Sequence, residues 1–517
     1  MNEIKCDEKL CASCGANCSH NHHSETIEIK PVSVEDMALR REARAAKQKQ
    51  LIREHGLPVV CFTMNIAGPI KYSPAIEICF NQGVEQLLLT LEMFNAKPVH
   101  EEYHIDNTGC EAFFCFSGLN ARMLKAQAVK LEENNYGFGR IFDIDVIDKN
   151  GEKLGRSKPR KCLICERPAA ECARNRTHSV EELQAKTKEL LREAIAVSAA
   201  NAAYRALLRE VETTPKAGLV DLNNNGANTD MDPELFRASA DALMPYFYSM
   251  AYVAADTDSP ESGHGEGCAE DENVNCADCP SHEGCKLEHG ASLMTKLTIL
   301  GVEAEAVMKK ATGGVNTHKG AIFCLGLLVS AFAKLAAEGK PCEALDIIAE
   351  AKRMAANRPD PGRGTNGAEV RSQYPDEAGS GLLGADAQAR AGFPAAVNAY
   401  RRILGYRLMN LSDNDCYALT LIGIMTELFD TNAYKRAGKE GAEYVRSRAA
   451  EIMELPFSKR LAEVISFDRE LIKRNVNCGG CADMLAAAIF LDCMTAYTDR
   501  RKGEEPGEHH GHHHHHE

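Results

Sequence analysis

The sequence predicts a multidomain protein, an N-terminal α+β domain followed by a larger all-α domain. Three observations predict it. A chain of 517 residues can bury two or three separate cores. Period-two alternation recurs between helical patterns as far as Ile147. From Ser179 onward helical spacing takes over, and no strand pattern competes with it.

Composition narrows the function classes. With 44% hydrophobic and 26% charged residues the chain is ordinary for a soluble globular protein. Its formal charge of −14 argues against a nucleic-acid partner, so an anionic ligand must be gripped by local basic clusters. Met1–Leu10 is charged and lacks the apolar core of a secretory signal, and the apolar run Ala321–Ala333 is too short to span a bilayer. The expectation is a cytoplasmic protein with no membrane partner, whose 21 cysteines are thiols or metal ligands rather than disulfides.

Residues 1–30 carry Cys6, Cys11, Cys14, Cys18, His20, His22 and His23, the makings of an appended metal-binding tail. Helical or strand patterns then alternate: helix Val32–His55, strand Leu57–Met64, helix Pro74–Phe94 with proline at its first position, strands Val99–Ile105 and Ala112–Ser117, helix Leu119–Glu133. The next strand, Arg140–Ile147, puts Asp143 and Asp145 on one face and Phe142, Ile144 and Val146 on the other. Such a pair either holds Mg²⁺ against phosphates or is the solvated side of an amphipathic edge strand.

A basic, cysteine-rich segment follows, with Arg156, Lys158, Arg160, Lys161, Arg174 and Arg176 around Cys162, Cys165, Cys172 and His178. The Cys-x2-Cys-x6-Cys-x5-His spacing permits a structural zinc knuckle, and a loop of reduced cysteines is the alternative. Its arginines suit a polyphosphate or an acidic partner protein.

The all-α domain begins near Val180. Its predicted helices are Glu181–Glu212, Pro233–Ala254, Gly290–Lys310, Lys319–Ala337, Glu343–Ala356, Pro394–Asn410, Asp413–Phe429, Ala433–Glu454, Ser458–Lys473 and Ala482–Thr498. Two interruptions stand out. Residues 257–289 hold Cys268, Cys276, Cys279 and Cys285, a set able to bind zinc or an iron–sulfur cluster unless the segment is a plain acidic loop. Asn357–Gly392, rich in Gly, Arg, Asp and Pro, is long for a connector and suits a cover over a substrate. The His-rich residues 501–517 are a metal-binding tail or an appended remnant and stand outside the fold.

Gly313–Gly320 is the sharpest single stretch. Asn316 or Thr317 can cap the apolar helix that follows, which leaves free N–H groups, the positive end of a helix dipole, His318 and Lys319 in one place. That is a seat for a phosphate chain, or simply a glycine turn that starts a core helix.

Taken together, Thr214–Asp221, Asn223–Asp232, the Gly313–Gly320 stretch, Asp430-Thr431-Asn432 and Cys478–Leu485 resemble, in that order, the triphosphoribosyl-dephospho-CoA synthase family. Asn65–Lys71, Gly139–Val146 and Arg160–Cys165 through His178 resemble the citrate lyase holo-acyl-carrier-protein synthase family. The resemblance covers residues 31–178 and 183–500 and looks like a fusion of the two. It implies synthesis of triphosphoribosyl-dephospho-CoA from ATP and dephospho-CoA, then transfer to the apo acyl carrier subunit of citrate lyase, with Mg²⁺ as cofactor.

Under that resemblance Asp221, Asp230 and Asp232 are the candidate acids facing a cationic sugar, although each could equally be a helix cap. Asn225 contacts ribose or base, Asn316 and Thr317 line the anion seat, and His318 with Lys319 clamps the triphosphate. Asp430, Asn432 and Asp483 are further substrate contacts. Asp143 and Asp145 become Mg²⁺ ligands, and Arg140, Arg174 and Arg176 neutralise pyrophosphate or dock the carrier. Asn228 stands where the family favours His, and Gln388 where it favours Glu. The same chemistry could serve a malonate decarboxylase carrier; a metal-responsive binding protein with degenerate catalytic halves is the reading from another class.

Overall fold

A computed structural model describes residues 26–133, 136–258, 292–358, 366–379 and 384–495. The N-terminal Cys/His cluster, the predicted metal site of Cys268, Cys276, Cys279 and Cys285, and the His-rich tail lie outside the described residues. The described chain forms two compact units: an α+β unit of residues 26–198 with 336–341, and a helical unit of residues 199–335 with 342–494.

In the α+β unit, helix α1 (Val34–His55) starts where Ser33 accepts the Asp36 N–H and ends at Gly56, whose φ of 63° only glycine adopts readily. Strand β1 (Val59–Met64) and helix α2 (Pro74–Met93) follow, α2 capped by Ser73. Strands β2 (Lys97–Asp106) and β3 (Gly109–Ser117), helix α3 (Ala121–Glu132) and strand β4 (Phe142–Ile147) complete it. The antiparallel sheet runs β2-β3-β1-β4, with β4 at an edge. Val59, Cys61, Phe113, Cys115 and Ile147 pack on one face with Leu51 of α1. On the other, Phe62 meets Phe80 of α2 edge-on at 5.5 Å and Phe142 at 5.1 Å. The strand expected from Arg140 begins at Phe142, because Gly137–Ile141 winds into a 3₁₀ turn.

Short helix α4 (Ala169–Asn175) precedes the long helix α5 (Val180–Glu212). The compact units part at residues 198/199, inside α5, so the switch to helical patterning at Ser179 comes earlier in the chain than the division between cores.

The helical unit continues with α6 (Pro233–Ala254), α7 (Leu293–Ala311), α8 (Lys319–Ala337), α9 (Ala344–Ala356), α10 (Asn366–Gln373), α11 (Pro375–Gly379), α12 (Ala385–Arg390), α13 (Pro394–Leu408), α14 (Asp413–Glu427), α15 (Thr431–Glu454), α16 (Arg460–Lys473) and α17 (Gly479–Thr495). Helices α14 and α17 are buried on almost every side, which is why their sequences are apolar all round rather than striped. Helix α8 is long and apolar enough to cross a membrane by length and composition, unlike the shorter run read from the sequence, and 78% of its apolar window is buried inside the protein. The predicted substrate cover is not structureless: it contributes the short helices α10, α11 and α12.

Candidate active sites

A cleft of about 690 Å³ lies in the helical unit, lined by residues at the start of three helices. These are Asn316–Gly320 before and in α8, Asp430–Asn432 at α15, and Asn477 with Gly479 and Gly480 at α17. Free N–H groups and three positive dipole ends favour an anion there. Asp430 ties two of these ends together. Its Oδ1 accepts the N–H groups of Asn432 (2.9 Å) and Ala433 (3.2 Å), and its Oδ2 accepts that of Cys481 (2.8 Å). The Asp430 carboxylate also shares a tight group with the thiols of Cys478 and Cys481, their ligand atoms all within 4.8 Å. A side chain at Gly320 would collide with the Asp483 carboxylate, so glycine is what lets α8 approach α17 so closely.

Carboxylates gather at this cleft. Burial, then the charges of Asp430 and Glu210, push Asp483 well above the usual carboxylate range. Burial also raises Asp430, against the N–H donors that favour its charged form. Glu210 is answered by the buried Lys216, whose Nζ donates to Glu210 Oε1 at 2.8 Å and to its carbonyl at 2.5 Å. Lys319, Arg358, Arg371, Lys435 and Arg436 supply the cations of the lining.

His318 is buried, and burial together with the nearby charge of Lys216 holds its pKa down to about 3. It is therefore neutral, and the expected cationic clamp reduces to Lys319. Thr317 Oγ1 donates to Ser239 Oγ (2.7 Å), and Ser239 Oγ lies 2.6 Å from His318 Nδ1. A relay running in that direction makes Nδ1 an acceptor and leaves the proton on Nε2, which has no protein partner among the described residues and belongs to a residue lining the cleft.

Asp230, Asn316, Thr317, His318, Lys319, Asp430, Asn432 and Asp483 thus meet at one cleft. Three expected residues stand outside its lining. Asp221 is buried and spends its carboxylate on the N–H groups of Lys216 (2.9 Å), Asn223 (2.7 Å) and Asn224 (3.0 Å), which shapes the loop. Asp232 is the exposed N-cap of α6, accepting from Leu235 N at 2.8 Å. Asn225 is exposed, and its carbonyl accepts from the Asn228 side chain at 3.1 Å. Sequence reasoning missed Glu210, which carries no turn or cap signal inside α5. It also missed Arg358 and Arg371, although the arginine content of the predicted cover pointed to them. Asn228 joins the site by accepting from Asn477 at 2.9 Å.

The α+β unit has its own pocket, about 600 Å³, lined by Arg140, Arg156, Lys158, Arg160, Lys161 and Lys186. Arg160 organises it, donating to the buried Glu132 (2.7 Å) and to the carbonyls of Phe142 (2.6 Å) and Arg140 (3.3 Å). The same guanidinium lies 3.7 Å from Asp143, which joins the basic pocket to the acidic pair on β4. The Asp143 side chain is 51% exposed and that of Asp145 24%, the latter bridged to Lys153 at 2.9 Å. Two accessible carboxylates on one strand face are the hard oxygen donors Mg²⁺ takes, so the residues fit that ion. Arg174 and Arg176 are exposed near the end of α4 and do not line the pocket. Cys162, Cys165, Cys172 and His178 do converge, their ligand atoms all within 4.8 Å.

Comparison with known proteins follows the same division. Residues 196–502 match the family profile described as ATP:dephospho-CoA triphosphoribosyl transferase (CitG), and residues 32–194 match apo-citrate lyase phosphoribosyl-dephospho-CoA transferase (CitX). The chain belongs to both families, as a fused CitX–CitG transferase. It is 29% identical to protein CitXG of Haemophilus influenzae over 488 residues, 90% of this chain and 97% of that protein. It is 30% identical to protein CitXG of Leuconostoc mesenteroides subsp. cremoris, over 87% of this chain and 95% of that one. The helical part is 33% identical to a probable 2-(5''-triphosphoribosyl)-3'-dephosphocoenzyme-A synthase of Pseudomonas syringae pv. tomato, over 57% of this chain and 90% of the relative. A fused CitX–CitG chain is a transferase with both family activities and serves citrate lyase maturation.

Proposed function

We propose that the protein, acting in the cytoplasm, carries out two consecutive reactions at two separate sites. The synthase half, residues 179–500, joins the 2'-hydroxyl of 3'-dephospho-CoA to C1 of the ATP ribose and releases adenine. The transferase half, residues 31–178, then passes phosphoribosyl-dephospho-CoA to a serine of the apo acyl carrier (γ) subunit of citrate lyase, and pyrophosphate leaves. The observation that carries this reading is the contrast between the sites: a cleft with gathered carboxylates and helix N-termini, and a basic pocket beside an acidic pair.

In the synthase cleft Glu210 and Asp483 rise from within helices, free of capping duty, while Asp430 positions α15 and α17. A carboxylate near C1 stabilises the cationic sugar as the bond to adenine breaks. In this reading Asp483, whose burial favours its protonated form, gives departing adenine its proton. Lys319, Lys435, Arg436 and the three helix N-termini hold the triphosphate, which stays intact.

In the transferase half Arg140, Arg160 and Lys161 grip the phosphates that become pyrophosphate. Mg²⁺ held by Asp143 and Asp145 would neutralise phosphate charge during the substitution. The test is a paired assay on Asp145→Asn, with adenine release measured from ATP and dephospho-CoA and carrier modification measured by intact mass. Carrier modification is expected to fall at least 100-fold with adenine release unchanged. Loss of both activities in a folded variant would sink the two-site reading.

A further inference from the structure

We propose that Cys162, Cys165, Cys172 and His178 form a structural zinc centre that builds the basic pocket of the α+β unit. Four independent features of this segment point to it.

The first is a missing core. Between Gly151 and Ser179 the only buried residues are Cys162 and Cys172, so apolar packing cannot be what fixes these residues in place. Segments this poor in core are commonly held by a metal, whose binding energy then substitutes for burial. The second is ligand geometry. Cys165 Sγ lies 3.4 Å from Cys172 Sγ and 3.5 Å from His178 Nε2. Zinc bonds of about 2.3 Å to sulfur and about 2.0 Å to nitrogen make a tetrahedron with edges of roughly 3.5–3.8 Å. These distances are close to those edges, and all four ligand atoms lie within 4.8 Å of one another.

The third feature is the turn between the first two thiols. The Ile164 N–H points at Cys162 Sγ at 3.5 Å, an arrangement that stabilises a metal-bound thiolate. The fourth is the far side of the imidazole. His178 Nδ1 lies 3.6 Å from Glu182 Oε2, which fixes which nitrogen faces the thiols. Glu182 is itself pinned in a capping box, its carboxylate accepting Ser179 N and its own N–H donating to Ser179 Oγ, both at 3.1 Å.

The centre reaches the pocket through the backbone. Cys162 N donates to Arg167 O at 2.7 Å and Ala169 N to Arg160 O at 2.8 Å, so the metal-held turn closes on the residues just before it. Arg140 donates to the Cys162 carbonyl at 3.3 Å. Arg140, Arg160 and Lys161 are therefore braced from the zinc side, and the ligand they suit is the polyphosphate end of a nucleotide. That last role rests on the transferase reading; the metal centre does not.

The test uses the purified full chain, Cys165→Ser, and His178→Cys, which keeps four ligands. Zinc is measured by elemental analysis, and carrier modification is followed with supplied triphosphoribosyl-dephospho-CoA. Adenine release serves as the folding control for the helical unit. Cys165→Ser is expected to hold one zinc fewer per chain than the parent and to modify carrier at least 100-fold more slowly, with adenine release unchanged. His178→Cys is expected to keep the zinc and most of the carrier modification. Equal zinc in the parent and Cys165→Ser would overturn the metal centre. Zinc lost with carrier modification intact would overturn its support of the pocket. A parent chain that never modifies carrier would overturn the transferase reading, while the zinc difference would still decide the metal centre.

Discussion

His318 gives a sharp pH prediction. In the unfolded chain its imidazole titrates near 6.5, while in the fold burial and Lys216 keep it neutral down to about 3. Between those values the unfolded chain binds a proton that the folded chain refuses. Stability contributed at this position is therefore full above 6.5, falls as pH drops through 6.5 and levels off below 3. Each pKa unit is worth about 1.4 kcal/mol, so lowering the pH from 8 to 5 should cost the fold about 2 kcal/mol through this residue alone. His318→Gln keeps a donor near the Nε2 position and removes the titration. Urea unfolding followed by far-UV circular dichroism, which reports mainly the helices, should be run on both chains at both pH values. The stability gap between the parent and His318→Gln should shift by about 2 kcal/mol toward the variant at pH 5. Parallel pH dependence in the two chains would refute the reasoning, because it would mean that the ring is solvated or already charged in the fold.

Two further changes test the synthase cleft. Lys216→Met leaves the buried Glu210 carboxylate without its cation, which should cost about 3–5 kcal/mol and appear as a lowered Tm; an unchanged Tm would show that Glu210 is not charged there. Gly320→Ala drives a methyl group into the Asp483 carboxylate and should cut adenine release at least tenfold while carrier modification from supplied intermediate continues. Full adenine release in Gly320→Ala would place the reacting atoms away from Asp483.

Elements were legible wherever one residue pattern decides them. Pro233–Ala254 and Lys319–Ala337 begin and end as the sequence indicates, since Asp232 and Asn316 cap them and their apolar content is unambiguous. The paired aspartates of β4 were legible for the same reason, because period two leaves no other arrangement. The start of β4 was not, since nothing in Gly137–Ile141 separates a 3₁₀ turn from extended chain. Arg160 stood in the basic segment, but its place between Glu132 and Asp143 depends on contacts 28 and 17 residues away in sequence, which no local pattern records.

The expected acids that stand outside the cleft lining share one physical feature. Sequence reasoning selected aspartates in turn motifs, and turns are where carboxylates are used up by backbone N–H groups. Asp221 holds three such donors and Asp232 caps a helix, and neither lines the cleft. Asp430 is likewise committed to three N–H groups, yet it lines the cleft because it fastens two helix starts that do. Besides Asp230 in its turn, carboxyl groups reach the cleft from helix interiors, Glu210 beside Lys216 and Asp483 opposite Gly320. In the proposed reaction the turn motifs build the seat, and the acids within the helices are proposed to act on what sits in it. This division makes Asp221→Asn and Asp483→Asn distinguishable: the first should lower Tm, because a weaker acceptor faces three donors, and the second should slow adenine release at an unchanged Tm. Equal effects on both measurements would dissolve the distinction.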